Sequence, residues 1–206
     1  MRSLLPSLAI FACIAAPAAA ADITVSVKGD DGMPLPDAVV IVRPTAGVAP
    51  GQPIRYAWPL MMMTQQNIAF NPYVLVVPLG STVGFPNKDK VRHHVYSFSA
   101  TKKFELKLYG QQEERTVTFD KAGVVALGCN IHDSMIGYIF VSDSLYAAKT
   151  NAAGEATIRG IPAGAATVST WHPDMKALKP VAAPMSSSGR QSVVLAMRPA
   201  AMRHQH

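Results

Sequence analysis

What most limits the fold of this chain is a recurrence of short β-branched runs, each cut off by Gly, Pro, Asn or Asp. ITVSV (Ile23 to Val27), AVVIV (Ala38 to Val42), YVLVV (Tyr73 to Val77), HVYSFS (His94 to Ser99), FELKLY (Phe104 to Tyr109) and TVTF (Thr116 to Phe119) all read as strands. So do GYIFV (Gly137 to Val141), ATIRGI (Ala156 to Ile161), ATVSTW (Ala166 to Trp171) and SVVLAM (Ser192 to Met197). Side chains branched at Cβ fit a pleated, half-buried surface, and short runs between turn residues predict an all-β sandwich or barrel. The best helical period, over Met61 to Ala69, is short. Ala-Pro-Gly stretches at Thr45 to Pro53 and Val181 to Arg190 read as linkers or long loops, and the tail AMRHQH as frayed.

The first residues carry an address. Arg2 supplies a positive start, Leu4 to Ala15 an apolar core, and Ala18-Ala19-Ala20 a small-residue cleavage site. That pattern is a secretory signal over residues 1–20, too short and wrongly flanked for a membrane span. A lipoprotein signal ending at Cys13 fits less well, because Phe11 is bulky for it and the apolar core is short. No later run is long and apolar enough to span a bilayer. The expected location is the periplasm.

Export changes the cysteine arithmetic. Of two cysteines, Cys13 leaves with the signal, so Cys129 stands alone where an odd cysteine needs a reason. It is an inert buried thiol, a link between chains, or a metal ligand. The net charge of +6, one less without Arg2, suits an acidic protein partner or an anionic membrane surface, though ordinary solubility accounts for it too. No nucleic-acid module is present.

The segment GCNIHDSMIGYIFV, Gly128 to Val141, sets Cys129, His132 and Met135 three residues apart, just before a strand. Type 1 copper takes a thiolate and two imidazoles in a plane with a weak axial thioether, soft and borderline donors that hold both redox states. The loop supplies three of these, framed by strands at Gly123 to Leu127 and Gly137 to Val141. The second imidazole must come from upstream, where His93 and His94 are adjacent. Strand alternation sends the two to opposite faces, so only one points at the site. Cys129 and Met135 also have a reading as core residues. His172 reads as a strand cap or surface residue, Met61-Met62-Met63 as a hydrophobic run, and His204 and His206 as incidental. A second copper centre would need further histidines, and those left are too few and too scattered. Phosphate loops and nucleophile motifs are absent as well, so no enzyme is expected.

The segment from about Phe70 to Val141 resembles a cupredoxin of the plastocyanin and amicyanin kind. Phe85, Asn87, His93 and Val95 fall in order on that family's Phe-x-Asn loop and ligand-histidine pattern. The Cys129-x-x-His132-x-x-Met135 spacing is the short ligand loop of amicyanins. The resemblance implies His93, Cys129, His132 and Met135 as ligands of one type 1 copper ion, with His94 as the alternative to His93. Ile131 replaces the usual proline before the ligand histidine, and Asp133 brings a carboxylate beside it.

The mature chain is also similar to the cupredoxin-containing methylamine utilization protein family, through FPNKD, HHVYSFS, Phe119 to Val124 and GCNIHD. GDDGMPLPDAVVIV (Gly29 to Val42) and KTNAAGEATIRGIPAGAATV (Lys149 to Val168) resemble the two halves of a carboxypeptidase regulatory-like β-sandwich. The expected order is therefore a signal over 1–20, the first part of that sandwich over 22–52, an inserted cupredoxin Greek-key sandwich over 53–142, the second part over 143–200, and a tail over 201–206. The functional expectation is one-electron transfer with a protein redox partner, acidic by charge, and a link to methylamine utilization. The alternatives are copper handling or delivery, and a metal-free β-sandwich interaction module.

Overall fold

The computed structural model describes residues 20–45, 61–111, 113, 115–162, 164–177, 179–186, 189–199 and 202. Apart from residue 20, the expected export signal lies outside them. So do most of the Thr45 to Pro53 stretch, His204 and His206.

The described residues form strands throughout. In chain order they are β1 (Ala20–Gly29), β2 (Val39–Pro44), β3 (Thr64–Gln65), β4 (Phe70–Asn71), β5 (Val74–Pro78), β6 (Thr82–Gly84), β7 (His93–Ser99) and β8 (Lys102–Tyr109). There follow β9 (Thr116–Thr118), β10 (Gly123–Cys129), β11 (Ile136–Ser142), β12 (Tyr146–Lys149), β13 (Glu155–Pro162), β14 (Ala165–Trp171), β15 (Val181–Ser186) and β16 (Gly189–Leu195). The protein is all-β, built of packed sheets. No helix among the described residues is long and apolar enough to cross a membrane.

Both ends of the chain join in two sheets, ordered β13-β1-β16 and β12-β2-β14-β15. Ile23 lies opposite Ile158 in the antiparallel β1–β13 pair, and β16 runs parallel to β1 on its other side. The alternation expected of a half-buried strand is plain in β1, where Ile23, Val25 and Val27 are fully buried. In β2, Val39 to Val42 are all buried, and they join the β1 residues in one hydrophobic cluster. Thr150 ties the distant segments together: its hydroxyl accepts from the Ala38 amide (2.9 Å) and donates to the Leu35 carbonyl (2.7 Å).

The middle of the chain forms the other sheets. A five-stranded sheet, β5-β11-β10-β7-β8, faces the small pairs β3–β4 and β6–β9 across a second cluster that includes Phe85, Val95, Tyr109, Leu127 and Ile139. Two strands serve both cores. Leu75 and Val77 of β5 point into this second cluster, and Val74 and Val76 into the first. Likewise Ile139 and Val141 of β11 face one core and Phe140 the other. That is why YVLVV and GYIFV are continuous apolar runs rather than alternating ones. Each such side chain contributes about 1.5–3 kcal/mol on burial.

Two expectations need correction. Met61 to Ala69 has no helical turn: Met63 is buried while Met61 and Met62 are exposed, and β3 leads into a hairpin turn with Asn67 and Ile68 both at φ 57°. Val181 to Arg190, read as a loop, contains β15 and the start of β16. Pro184 misled the reading. β15 is an edge strand paired only to β14, where a missing N–H is tolerated.

Candidate metal centre

His93 opens β7, and the alternation of that strand decides where its two histidines go. His93, Val95 and Ser97 are buried, whereas His94 and Tyr96 lie on the other, half-exposed face. The His94 ring meets Glu105 Oε1 at 2.8 Å there. The β7–β8 register shifts between His93 and Val95, so β8 bulges beside the histidine. Such irregularities re-aim side chains near functional sites.

Cys129 ends β10 opposite Val95 of β7 and is 2 % exposed. The loop that follows turns tightly, with the Met135 amide donating to the His132 carbonyl (2.9 Å), and re-enters the sheet at Ile136 opposite Gly128. Gly137 is required at this return, because a Cβ there would lie 2.7 Å from the Cβ of Phe70. The result brings His132 back over Cys129 and leaves Met135 fully buried in the same cluster as the cysteine.

Three donors converge. The Cys129 sulfur lies 3.7 Å from Nδ1 of His93 and 3.9 Å from Nδ1 of His132. The ligating atoms of all three residues fall within 4.8 Å of one another, and this is the only group of three His, Cys, Asp or Glu donors so arranged among the described residues. Metal–nitrogen and metal–sulfur bonds of about 2.0 and 2.3 Å, opened to a trigonal plane, separate those atoms by about 3.7 Å. The two sulfur–nitrogen separations are therefore close to those around a small bound divalent ion. His132 is only half-buried, so its ring is the edge of the site nearest solvent.

The remaining groups fix these donors. Asn87 donates to the carbonyls of Val91 (2.9 Å) and Tyr109 (3.2 Å) and accepts from the Asp89 amide (2.8 Å), which closes the loop before His93. The Tyr109 hydroxyl donates to the Phe85 carbonyl (2.8 Å). Burial pushes its pKa up to about 12, against a hydrogen bond from Gln65 and the nearby Arg115, so it stays neutral.

Asp89 was not expected at the site. Its carboxylate lies 2.9 Å from Nε2 of His93 and accepts from the amides of Asn67 (2.7 Å) and Ile68 (3.0 Å). Desolvation opposes its charge, but the bonds from Ile68, His93 and Asn67 outweigh it and hold its pKa below the usual carboxylate range. The only sequence signal was an acid four residues before His93 within FPNKD.

No family model and no curated protein matches the chain. Several solved structures do, each in part. A purple cupredoxin from Nitrosopumilus maritimus is 24% identical over 39% of this chain and 96% of its own, with a TM-score of 0.35. A copper-containing nitrite reductase from Thermus scotoductus SA-01 is 28% identical over 49% of this chain, which spans 25% of that enzyme, with a TM-score of 0.39. A reduced amicyanin variant is 20% identical over 50% of this chain and 99% of its own, with a TM-score of 0.37. At these scores the likeness is partial, and the assignment below rests on the side chains.

Asp133 is exposed beside His132, at the rim of a surface depression lined by Tyr96, Phe98, Gly128 and Cys129. The larger cleft, of about 930 Å³, runs between Met62, Val74 and Val76 on one side and Ala147, Ala148 and Ile158 on the other. None of the candidate ligands lines it.

Proposed function

We propose that the chain is an exported mononuclear copper protein of the cupredoxin kind that carries one electron at a time. His93, Cys129 and His132 would hold the metal, and the buried Met135 thioether would be a further, weaker donor. The observation that carries this reading is the convergence of two imidazole Nδ1 atoms on one buried cysteine sulfur at 3.7 and 3.9 Å. A bound copper ion supplies a reversible one-electron couple, and thiolate with imidazole suits both of its oxidation states. The protein's part is to fix the donors. β7 and β10 hold His93 and Cys129 rigidly, the buried cluster keeps water from the sulfur, and His132 gives a partner access at the solvent edge.

The middle segment is the metal-binding unit in this reading, inserted in a sandwich formed by the two chain ends. Pairing of β1 with β13 and β16 supports that division. Excising Pro53 to Ser142 with a short linker should then leave a remainder with a β-rich circular dichroism spectrum, and an unfolded remainder counts against it. An acidic redox partner is favoured by the positive charge, and a role in methylamine utilization rests on sequence resemblance. The protein is not an enzyme in this reading.

Copper delivery is the rival, favoured by the half-exposed His132, through which a metal could be handed on. Voltammetry of the copper-loaded mature protein, followed by challenge with a Cu(I) chelator, separates the two. A carrier cycles reversibly and retains its copper. Prompt loss of Cu(I) to the chelator would replace electron transfer with delivery.

A further inference from the structure

Strands β3 and β4 form a two-residue hairpin: Thr64 pairs with Asn71 and Gln65 with Phe70, and Gln66 and Ala69 exchange backbone hydrogen bonds. Both central residues, Asn67 and Ile68, have φ 57°, the arrangement of a type I′ turn. Asn at the first position is usual, but the second normally takes Gly, and a β-branched residue in the left-handed region is costly. The turn therefore persists because something outside it holds it. The two central amides point at the two oxygens of Asp89, at 2.7 and 3.0 Å, twenty residues or so along the chain. One of those oxygens also meets Nε2 of His93 at 2.9 Å.

We propose that the β3–β4 hairpin and Asp89 form a positioning device that fixes the tautomer and ring plane of His93. A carboxylate taking two amide N–H groups acts as an acceptor only, so the His93 nitrogen facing it carries the hydrogen. The proton sits on Nε2, and the lone pair of Nδ1 is left aimed at Cys129 Sγ, 3.7 Å away. A carboxylate behind a ligating imidazole fixes its orientation and raises its basicity, and loss of such a partner lowers metal affinity 10–100-fold. Asp89 touches no metal ligand atom in this arrangement and acts through the ring. The inference rests on the copper reading above for its purpose, while the Asp89–His93 contact is tested without any metal.

Long-range proton–nitrogen correlation NMR of the metal-free, reduced protein reads the tautomer directly. His93 is expected with hydrogen on Nε2, and hydrogen on Nδ1 overturns the proposal without any variant. Asp89→Asn should abolish the single-tautomer signature and weaken Zn(II) binding by about 10–100-fold, while Asp89→Glu restores part of both. An Asp89→Asn protein that keeps the Nε2–H tautomer and wild-type Zn(II) affinity also overturns it. If Asp89→Asn fails to fold, the wild-type tautomer decides alone. Should wild-type protein bind neither copper nor Zn(II), the functional reading fails, and the NMR result still settles the positioning claim.

Discussion

Two buried histidines, in two regions of the molecule, show why burial and residue type do not identify a metal site. His172 follows β14 in the part built from the chain ends and is 6 % exposed; His93 opens β7 in the middle part and is fully buried. In His172 both ring nitrogens face backbone: Nδ1 accepts from the Asp174 amide (3.0 Å) and Nε2 meets the Pro36 carbonyl (3.2 Å). The ring joins the loop before β2 to the end of β14 and is fully used in doing so. In His93 one nitrogen meets a carboxylate and the other faces a cysteine sulfur. Such a ring keeps a lone pair available, and the difference lies in the partners.

The contrast can be broken most sharply at those two positions. His93→Ala should abolish the thiolate-to-copper colour altogether, because an open equatorial position admits water and weakens the trigonal geometry. His172→Ala should leave the colour unchanged and lower stability by about 2 kcal/mol in urea unfolding, since it strands a buried amide and carbonyl. Colour lost with His172 and kept without His93 would reverse the account. His94→Ala sharpens the comparison within β7. Its link to Glu105 is partly exposed, so the variant should keep the colour, shift the midpoint potential and lose under about 1 kcal/mol of stability. Colour lost in His94→Ala alone would reassign the ligand.

The smallest effect is expected at Asp133. Cu(II) carries one more positive charge than Cu(I), so a nearby anion favours the oxidised state. Asp133→Asn should raise the midpoint potential slightly, by less than about 1 kcal/mol equivalent, because the residue is exposed and screened. Voltammetry at low and high salt should show the shift shrinking with salt. A lowered midpoint or lost copper would make Asp133 a ligand or structural anchor.

Most of the architecture was legible because β-branched runs and turn residues report local geometry. Strands such as Val39–Pro44 and Ile136–Ser142 stand where the apolar runs are. What was illegible depended on partners remote in sequence. Tyr146–Lys149 carries only an ordinary YAAK and is a strand because β2 lies beside it. Val181–Ser186 contains a proline that only an edge position allows. At the site, the Cys129, His132 and Met135 spacing could be read directly, and alternation along β7 separates His93 from His94. The contact of Asp89 with His93 could not be read, because the carboxylate is held by a turn whose second residue, Ile68, is left-handed against its local propensity.

Copper(II) titration of the metal-free mature protein, followed by visible absorption, tests the central claim most directly. One equivalent should saturate an intense thiolate-to-copper band, with the matching axial EPR signal, and Cys129→Ser should remove the band. A colourless wild type, or a band that survives Cys129→Ser, would contradict the account.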